Sequence, residues 1–287
     1  MHFTVLVWGF TAILGRLISL TALTLVWYRL LVVVAVMAGV VAVRRIRFRI
    51  PAELLLRFGV VGLFVALHWL TFYGCIKHSG VAVAVLCLST GTLFTALLEP
   101  IAFRRAVKPA ELLIGLLVMV GVSLLVKLEA RADTLGLVMG LSSALFSATF
   151  GTVNGKLARR ARGELMTFYE LGAAALVTTL FFFVRPEEFV APSALSPRDV
   201  GLLLVLAIGC TVLPWLWSLR VLQTLSPYTL ALAVSLETVY AMTLAWFIFP
   251  DSEQLTWRFY SGAAMLLGLV AANTWLKAPA RAAATVE

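Results

Sequence analysis

The chain has 287 residues, 62% of them hydrophobic and only 13% charged, with a mean hydropathy of +1.01. Soluble domains carry roughly 45–50% apolar and ~25% charged residues, so a soluble domain is excluded and the chain needs lipid as its solvent. The net charge of +9 does not point to nucleic acid, because the basic residues sit in short runs between apolar stretches rather than on one polar face.

Apolar stretches recur from end to end. The first, 3–20, follows Met1-His2 without a basic leader or a cleavage site and reads as a spanning helix rather than a removable signal peptide. The others lie at 22–43, 53–75, 80–102, 110–127, 134–155, 165–184, 200–221, 227–249 and 258–276. Most match the ~20 residues that an α-helix needs to cross a bilayer. Nothing shows the ~10-residue alternation of a membrane barrel. Pro, Gly or charge punctuates most connections, as in Lys108-Pro109, Ser226-Pro227 and Pro250-Asp251, and the longest polar stretch, Arg185 to Asp199, reads as a loop. Cys75, Cys87 and Cys210 all lie in apolar stretches and have neither disulfide nor metal-ligand spacing.

Loop charges set an expected orientation. With the N-terminus in the cytoplasm, the inner loops hold Arg44, Arg45, Arg47 and Arg49, then Arg104, Arg105 and Lys108, then Lys156, Arg159, Arg160 and Arg162, and the tail adds Lys277 and Arg281. The outer loops are mixed or acidic: Lys127, Glu129, Arg131 and Asp133; Arg185, Glu187, Glu188, Arg198 and Asp199; Asp251 and Glu253. This asymmetry predicts an even number of spans with both termini inside. Lys77 and His78 on the outer side run against it.

The two halves repeat. At a constant spacing of 146 residues, Trp69 pairs with Trp215, Leu86 with Leu232, Ser89 with Ser235, Thr92 with Thr238 and Phe94 with Tyr240. Gly15-Arg16-Leu17 matches Gly155-Lys156-Leu157, and Tyr28-Arg29 matches Tyr169-Glu170 after a one-residue slip. Each repeat holds five helices, over 1–130 and 131–287. An odd number of crossings inserts the second copy upside down, and the loop charges swap accordingly. Inverted repeats are the architecture of secondary transporters, with the substrate site near the midplane at the repeat interface.

Trp8-Gly9-Phe10-Thr11, Tyr28-Arg29 and Ser235-Leu236-Glu237-Thr238-Val239-Tyr240 resemble the EamA family of the drug/metabolite transporter superfamily. The second half of that family commonly shows Ser-Leu-Glu-Pro, and Thr238 stands here in place of the proline. The first half has Ser89-Thr90-Gly91-Thr92, with Glu99-Pro100 ten residues after Ser89. The resemblance implies an all-α membrane protein of ten transmembrane helices in two inverted five-helix repeats, a central cavity, and export or exchange of small metabolites such as amino acids.

Ionisable residues within a bilayer cost ~2.5–3.5 kcal/mol each on insertion scales and are functional candidates by default. Arg29, Glu99, Glu170 and Glu237 qualify. Glu237, with Tyr240 one turn on, suits a cationic group or a proton, or alternatively a hydrogen bond between helices. Arg29 is either functional or a snorkelling residue, and the repeat sets it opposite Glu170, which leaves an ion pair open. Glu99 lies within about a turn of Arg104 and favours a local ion pair. His68, Trp69, Phe72 and Tyr73 form two i,i+4 pairs suited to an amphipathic pocket or to packing. Trp8, Trp215 and Trp217 are further aromatic candidates, and Asn154 suits a helix cap or a substrate contact. Trp257 and Trp275 read as interface anchors. On the sixth helix Gly136, Gly140, Ala144, Ala148 and Thr152 make a stripe of small residues for close helix packing, with Ser143, Ser147, Gly151 and Gly155 beside it.

The expected site is therefore Trp8, Arg29, His68, Trp69, Tyr73, Asn154, Glu170, Trp215, Glu237 and Tyr240. The expected function is alternating-access export or exchange of an amino acid or similar amphipathic solute across the cell (plasma or inner) membrane, with proton coupling open. The expected partners are that solute and membrane lipids, with a homodimer open, and no cofactor, metal or nucleic acid. Catalysis is disfavoured, since no phosphate loop, paired-histidine motif or Gly-x-Ser-x-Gly elbow occurs. A lipid scramblase or a lipid-modifying membrane enzyme is the alternative.

Overall fold

The computed structural model describes residues 2–125, 134–248 and 257–284, and these form ten helices and no strand. The charged loop residues Lys127 to Asp133, Asp251 and Glu253, and the last residues of the expected fifth and ninth helices, lie outside the described residues, as do the side chains of Lys277 and Arg281.

Helices α1 (His2–Leu17) and α2 (Ala22–Val43) are joined by a short loop, where Thr21 caps α2 by accepting from Thr24 N. The next helical stretch, Ala52–Ser89, contains one non-helical residue, Gly80, at φ 85° and ψ 169°. That conformation is open essentially to glycine alone, and it turns the chain back in a single residue. The stretch is thereby divided into α3 (52–79) and the start of α4 (81–103), which is interrupted at Thr90 and resumes as Gly91–Phe103. The expected gap between the third and fourth helices thus shrinks to one residue. Helices α5 (Pro109–Leu125), α6 (Thr134–Leu157) and α7 (Gly163–Phe181) follow. The polar stretch after α7 holds two 3-10 turns, Pro186–Glu188 and Pro192–Ala194, and ends earlier than expected: Ser196 caps α8, so Asp199 lies in its first turn. Helix α8 runs from Pro197 to Val221 and passes through a π-helical segment, Val205–Val212. Helix α9 comprises Pro227–Val234 and Glu237–Ile248, broken at Ser235-Leu236, and α10 is Trp257–Ala284.

Ala22–Val43, Ala52–Phe103, Thr134–Leu157, Pro197–Val221 and Pro227–Ile248 are long and apolar enough to cross a bilayer, and Ala52–Phe103 does so twice because it folds back at Gly80. The outward surface is apolar too. Leu113, Leu116 and Val120 form an exposed stripe on α5, and Trp257 and Trp275 are exposed on α10. Such a surface suits hydrocarbon and not water. The chain is an integral, multi-pass membrane protein.

Packing repeats with the sequence. Helix α2 lies on α7, α5 on α10 and α4 on α9, each helix against its own counterpart. Helix α6 packs on α3 and α4 as α1 packs on α8 and α9. The broken helices correspond as well: Ser89 Oγ donates to Leu86 O and Ser235 Oγ to Leu232 O, each at 2.6 Å.

The loops divide between two faces. One, the basic face, holds 44–51, 104–108, 158–162 and 222–226; the other holds 18–21, Gly80 and 182–196. On the basic face Arg105 bridges Glu99 at 3.0 Å and Glu111 at 2.6 Å, while Glu99 Oε2 accepts from Tyr228 N at the start of α9 (2.6 Å). The local ion pair expected for Glu99 is therefore made with Arg105, not Arg104, whose left-handed backbone (φ 51°) ends α4. On the opposite face Asp199 accepts from Ser19 N and Oγ at 3.0 and 2.5 Å, and Lys77 donates to Ile18 O at 2.6 Å.

Small residues let the helices close in. A Cβ on Gly140 of α6 would lie 2.7 Å from Cys87 Cβ, and one on Gly62 of α3 would run into the Glu170 carbonyl and lie 2.6 Å from Ala173 Cβ of α7. Gly59, one turn away, faces open space. Gly62→Ala is expected to lower the unfolding midpoint of purified protein, in line with the ~1–3 kcal/mol typical of overpacking, while Gly59→Ala leaves it unchanged or raises it.

Candidate functional site

A cavity of about 160 Å³ lies among α1, α2, α3, α4, α6, α8 and α9, where the two repeats meet. Trp8, Arg29, His68, Trp69, Tyr73, Asn154, Trp215 and Glu237 all line it. Of the ten residues expected at the site, Glu170 and Tyr240 do not. Glu170 is buried behind Asn154, and the Tyr240 hydroxyl meets His2 Nδ1 at 2.8 Å while its Cβ lies beside Gly9 of α1.

Arg29 is 3% exposed. It does not snorkel; it points into the bundle. Its Nε donates to Thr211 Oγ1 at 2.8 Å and its Nη1 to Tyr73 OH at 3.0 Å, and its guanidinium carbon stands 3.8 Å from the centre of the Trp69 ring. No carboxylate pairs with it within ion-pair distance among the described residues. The repeat-related Glu170 takes a different partner, so the two make no ion pair. Thr211 reaches Arg29 from the π segment of α8, donating in turn to Leu206 O at 2.7 Å, an i,i−5 bond. Pro214 explains the loosened ladder, because it has no N–H to return to the preceding turn. π segments of this kind are frequent at functional sites.

The aromatic wall is continuous. Trp69 and its repeat mate Trp215 meet edge to face with ring centroids 5.9 Å apart, Trp215 stacks on Phe150 at 5.5 Å, and His68 stacks on Phe72 at 6.0 Å. His68 Nδ1 lies 3.0 Å from Ser143 O, and Ser143 Oγ donates to His68 O at 3.2 Å, so the imidazole is tied to α6. Trp217 instead packs on Phe3, away from the cavity. Glu237 opens the second half of α9, is 6% exposed, and makes no hydrogen bond or ion pair among the described residues. It lines the same cavity as Arg29. Asn154 does not cap α6, which continues to Leu157; its Nδ2 donates to Glu170 Oε2 at 3.2 Å.

The cavity reaches toward the basic face. Leu222 and Pro227 line both it and a second recess of about 670 Å³, which is rimmed by Arg57, Arg105, Lys156, Arg159 and Arg160. Toward the opposite face it is sealed, where Tyr73 packs against Gly15.

Thr211 and Phe150 were not among the sequence candidates. Thr211 left a signal, as the one hydroxyl in the apolar run Val205–Val212, three residues before a proline. Phe150 left none, since a phenylalanine in an apolar helix is ordinarily packing. Tyr73→Phe removes the acceptor of a buried cation, and hydrogen bonds to charged groups contribute ~1.5–3 kcal/mol. The expected result is a lower unfolding midpoint in a variant that still inserts and purifies as the wild type does.

The EamA-like transporter family model matches the chain twice, over residues 1–127 and 134–274. Twenty-eight chains of solved structures match the fold. One crystal structure, 16% identical, covers 96% of this chain and is itself covered to 96%, with a TM-score of 0.77. No curated protein sequence matches. Two matches to one family model, on two repeats that pack symmetrically around one cavity, identify the chain: it belongs to the EamA-like transporter family.

Proposed function

We propose that the chain is a secondary transporter that exports or exchanges a small zwitterionic metabolite of the amino-acid type, with both termini and the basic face in the cytoplasm. One observation carries the reading: a single cavity presents a buried guanidinium and a carboxylate, neither ion-paired, on an aromatic wall. Arg29 suits the solute's carboxylate, as a planar fork that lacks an anionic partner. Glu237 suits its ammonium, and Trp8, Trp69, Phe150 and Trp215 suit an apolar side chain. A solute carrying both charges completes both groups at once, which neither an anion nor a cation alone does.

The two repeats supply alternating access. In this conformation the cavity adjoins the basic recess and is sealed by Tyr73, Gly15 and the Asp199–Ser19 contacts at the other face. The opposite conformation closes α4 and α9 where Leu222 and Pro227 now stand, and parts α3 from α1. The loop charges favour the cytoplasmic placement of the basic face.

The test is thermal unfolding of detergent-purified protein against amino acids, amines, carboxylates, nucleotides and sugars, followed by exchange in proteoliposomes. A ligand at ~100 times its Kd stabilises by ~2.7 kcal/mol. A zwitterion that stabilises and exchanges, where matched amines and carboxylates do neither, is the expected result. Lipid scrambling with no solute response overturns the reading. Glu237→Gln is expected to weaken binding ~10-fold or more, the scale of one charge-assisted contact of ~1.4 kcal/mol or above. Glu99→Gln, on the Arg105 bridge, is expected to lower stability and leave Kd close to the wild-type value. Equal, near-normal exchange by both variants removes the assignment of Glu237.

A further inference from the structure

Four buried polar side-chain atoms have no hydrogen-bond partner among the described residues, and three of them belong to neighbours at the cavity wall: Asn154 Oδ1 and Trp215 Nε1 on residues that line it, and Glu170 Oε1 behind them. They come from three neighbouring helices, α7, α6 and α8. Glu170 itself is 0% exposed. Its one hydrogen bond is the 3.2 Å contact from Asn154 Nδ2 to Oε2. The groups around it carry no compensating charge. Helix α6 presents Asn154 and α8 presents the Trp215 indole, while α3 meets the Glu170 backbone rather than its carboxyl at Gly62. Arg29 of α2 is turned to Thr211 and Tyr73, His68 of α3 is tied to Ser143, and the Arg44–Glu164 pair stands at the basic-face end of α7.

An ionised carboxylate placed there has only the Asn154 amide and the Trp215 indole N–H to face and no cation, and desolvation without charge pairing is among the most costly arrangements in a protein interior. A single proton changes the count. An acid Oε1–H is a donor, and the unpartnered atom on the side chain already bonded to Glu170 is an acceptor, Asn154 Oδ1. With Asn154 Nδ2 donating to Oε2, an Oε1–H turned to Oδ1 would close an acid–amide pair. One proton therefore accounts for two of the three orphaned atoms. The third, the Trp215 N–H, is the donor that a deprotonated Glu170 would take up.

We infer that Glu170, paired with Asn154, is a proton-binding site that is loaded in this conformation and supplies the coupling proton of transport. When solute enters from the basic recess, the Oε1–H bond breaks, the proton passes to water on that side, and the Trp215 N–H turns to the carboxylate, so the proton moves inward as the solute moves out. Trp215 meets Trp69, and Trp69 carries Arg29, so the proton site reaches the solute site through one pair of rings. The coupling role rests on the transporter reading proposed above; the proton itself is testable without it.

The experiment is infrared difference spectroscopy of the full chain in liposomes at neutral pH, wild type against Glu170→Gln. The expected result is loss of a protonated-carboxyl C=O band in the variant, and a shift of that band in Asn154→Leu, which removes the amide partner but keeps the acid. A wild-type spectrum with no carboxyl band that depends on Glu170 overturns the site. In proteoliposomes loaded with the same solute panel, Glu170→Gln is expected to keep solute-for-solute exchange and lose accumulation driven by a pH gradient. Gradient-driven accumulation equal to wild type overturns the coupling role. Wild-type vesicles that move no compound defeat the transporter reading instead, and leave the infrared result to decide the proton site.

Discussion

A guanidinium in the middle of a bilayer has to be held by the protein, and the rest of this structure is arranged around how Arg29 is held. Its partners are a phenol, a hydroxyl and the face of an indole, not a carboxylate. A desolvated cation over a tryptophan gains about 2 kcal/mol, and neutral acceptors satisfy its N–H groups without cancelling its charge. The cost of inserting it is thus offset while its field remains available to the cavity. Each partner makes a demand on the fold. Thr211 is delivered by a π segment, Tyr73 by the end of α3 nearest the sealed face, and Trp69 by the same helix one turn earlier.

The repeats use equivalent places for unlike chemistry. Trp69 and Trp215 occupy matching positions and meet, giving the cavity a wall with approximate twofold character. Arg29 and Glu170 also match, yet one faces the cavity and the other is withdrawn behind it. Two homologous corners have therefore diverged into a buried charge that lines the cavity and an acid withdrawn behind it. A strictly symmetric pair would give the two faces identical sites and no polarity. The broken helices α4 and α9 nevertheless keep the same serine bond in both halves.

Much of this was legible beforehand. The helix count follows from apolar length, and the inverted repeat follows from a constant spacing that links Trp69 to Trp215 and Ser89 to Ser235. Burial could be read for Glu237, midway along its apolar run, whereas Arg29, nearer a helix end, left snorkelling open and turns out to be buried. The partners could not. Tyr73 and Thr211 are 44 and 182 residues from Arg29, and periodicity says nothing about contacts across such separations. Asn154 looked like a cap because it lies near a helix end; the helix simply continues, and the side chain finds Glu170 sixteen residues on. Tyr240 follows the helical spacing of Glu237 yet leans on Gly9, because a glycine on α1 leaves room for it there. The reversal at Gly80 was hidden for a similar reason: a glycine in a greasy stretch resembles any other until its backbone angles are known.

That reversal has a mechanical consequence. Successive Cα atoms are about 3.8 Å apart, so the facing ends of α3 and α4, on either side of Gly80, stay within roughly 7–8 Å of each other in every state. The corresponding corner between α8 and α9 has five residues, 222–226, held by turn bonds from Gln223, Thr224 and Leu225. One repeat is therefore joined by a pivot and the other by a tether. The third and fourth helices of the first repeat are thus pinned together at their facing ends, whereas their counterparts α8 and α9 are linked through a longer corner, and that corner lies beside the basic recess.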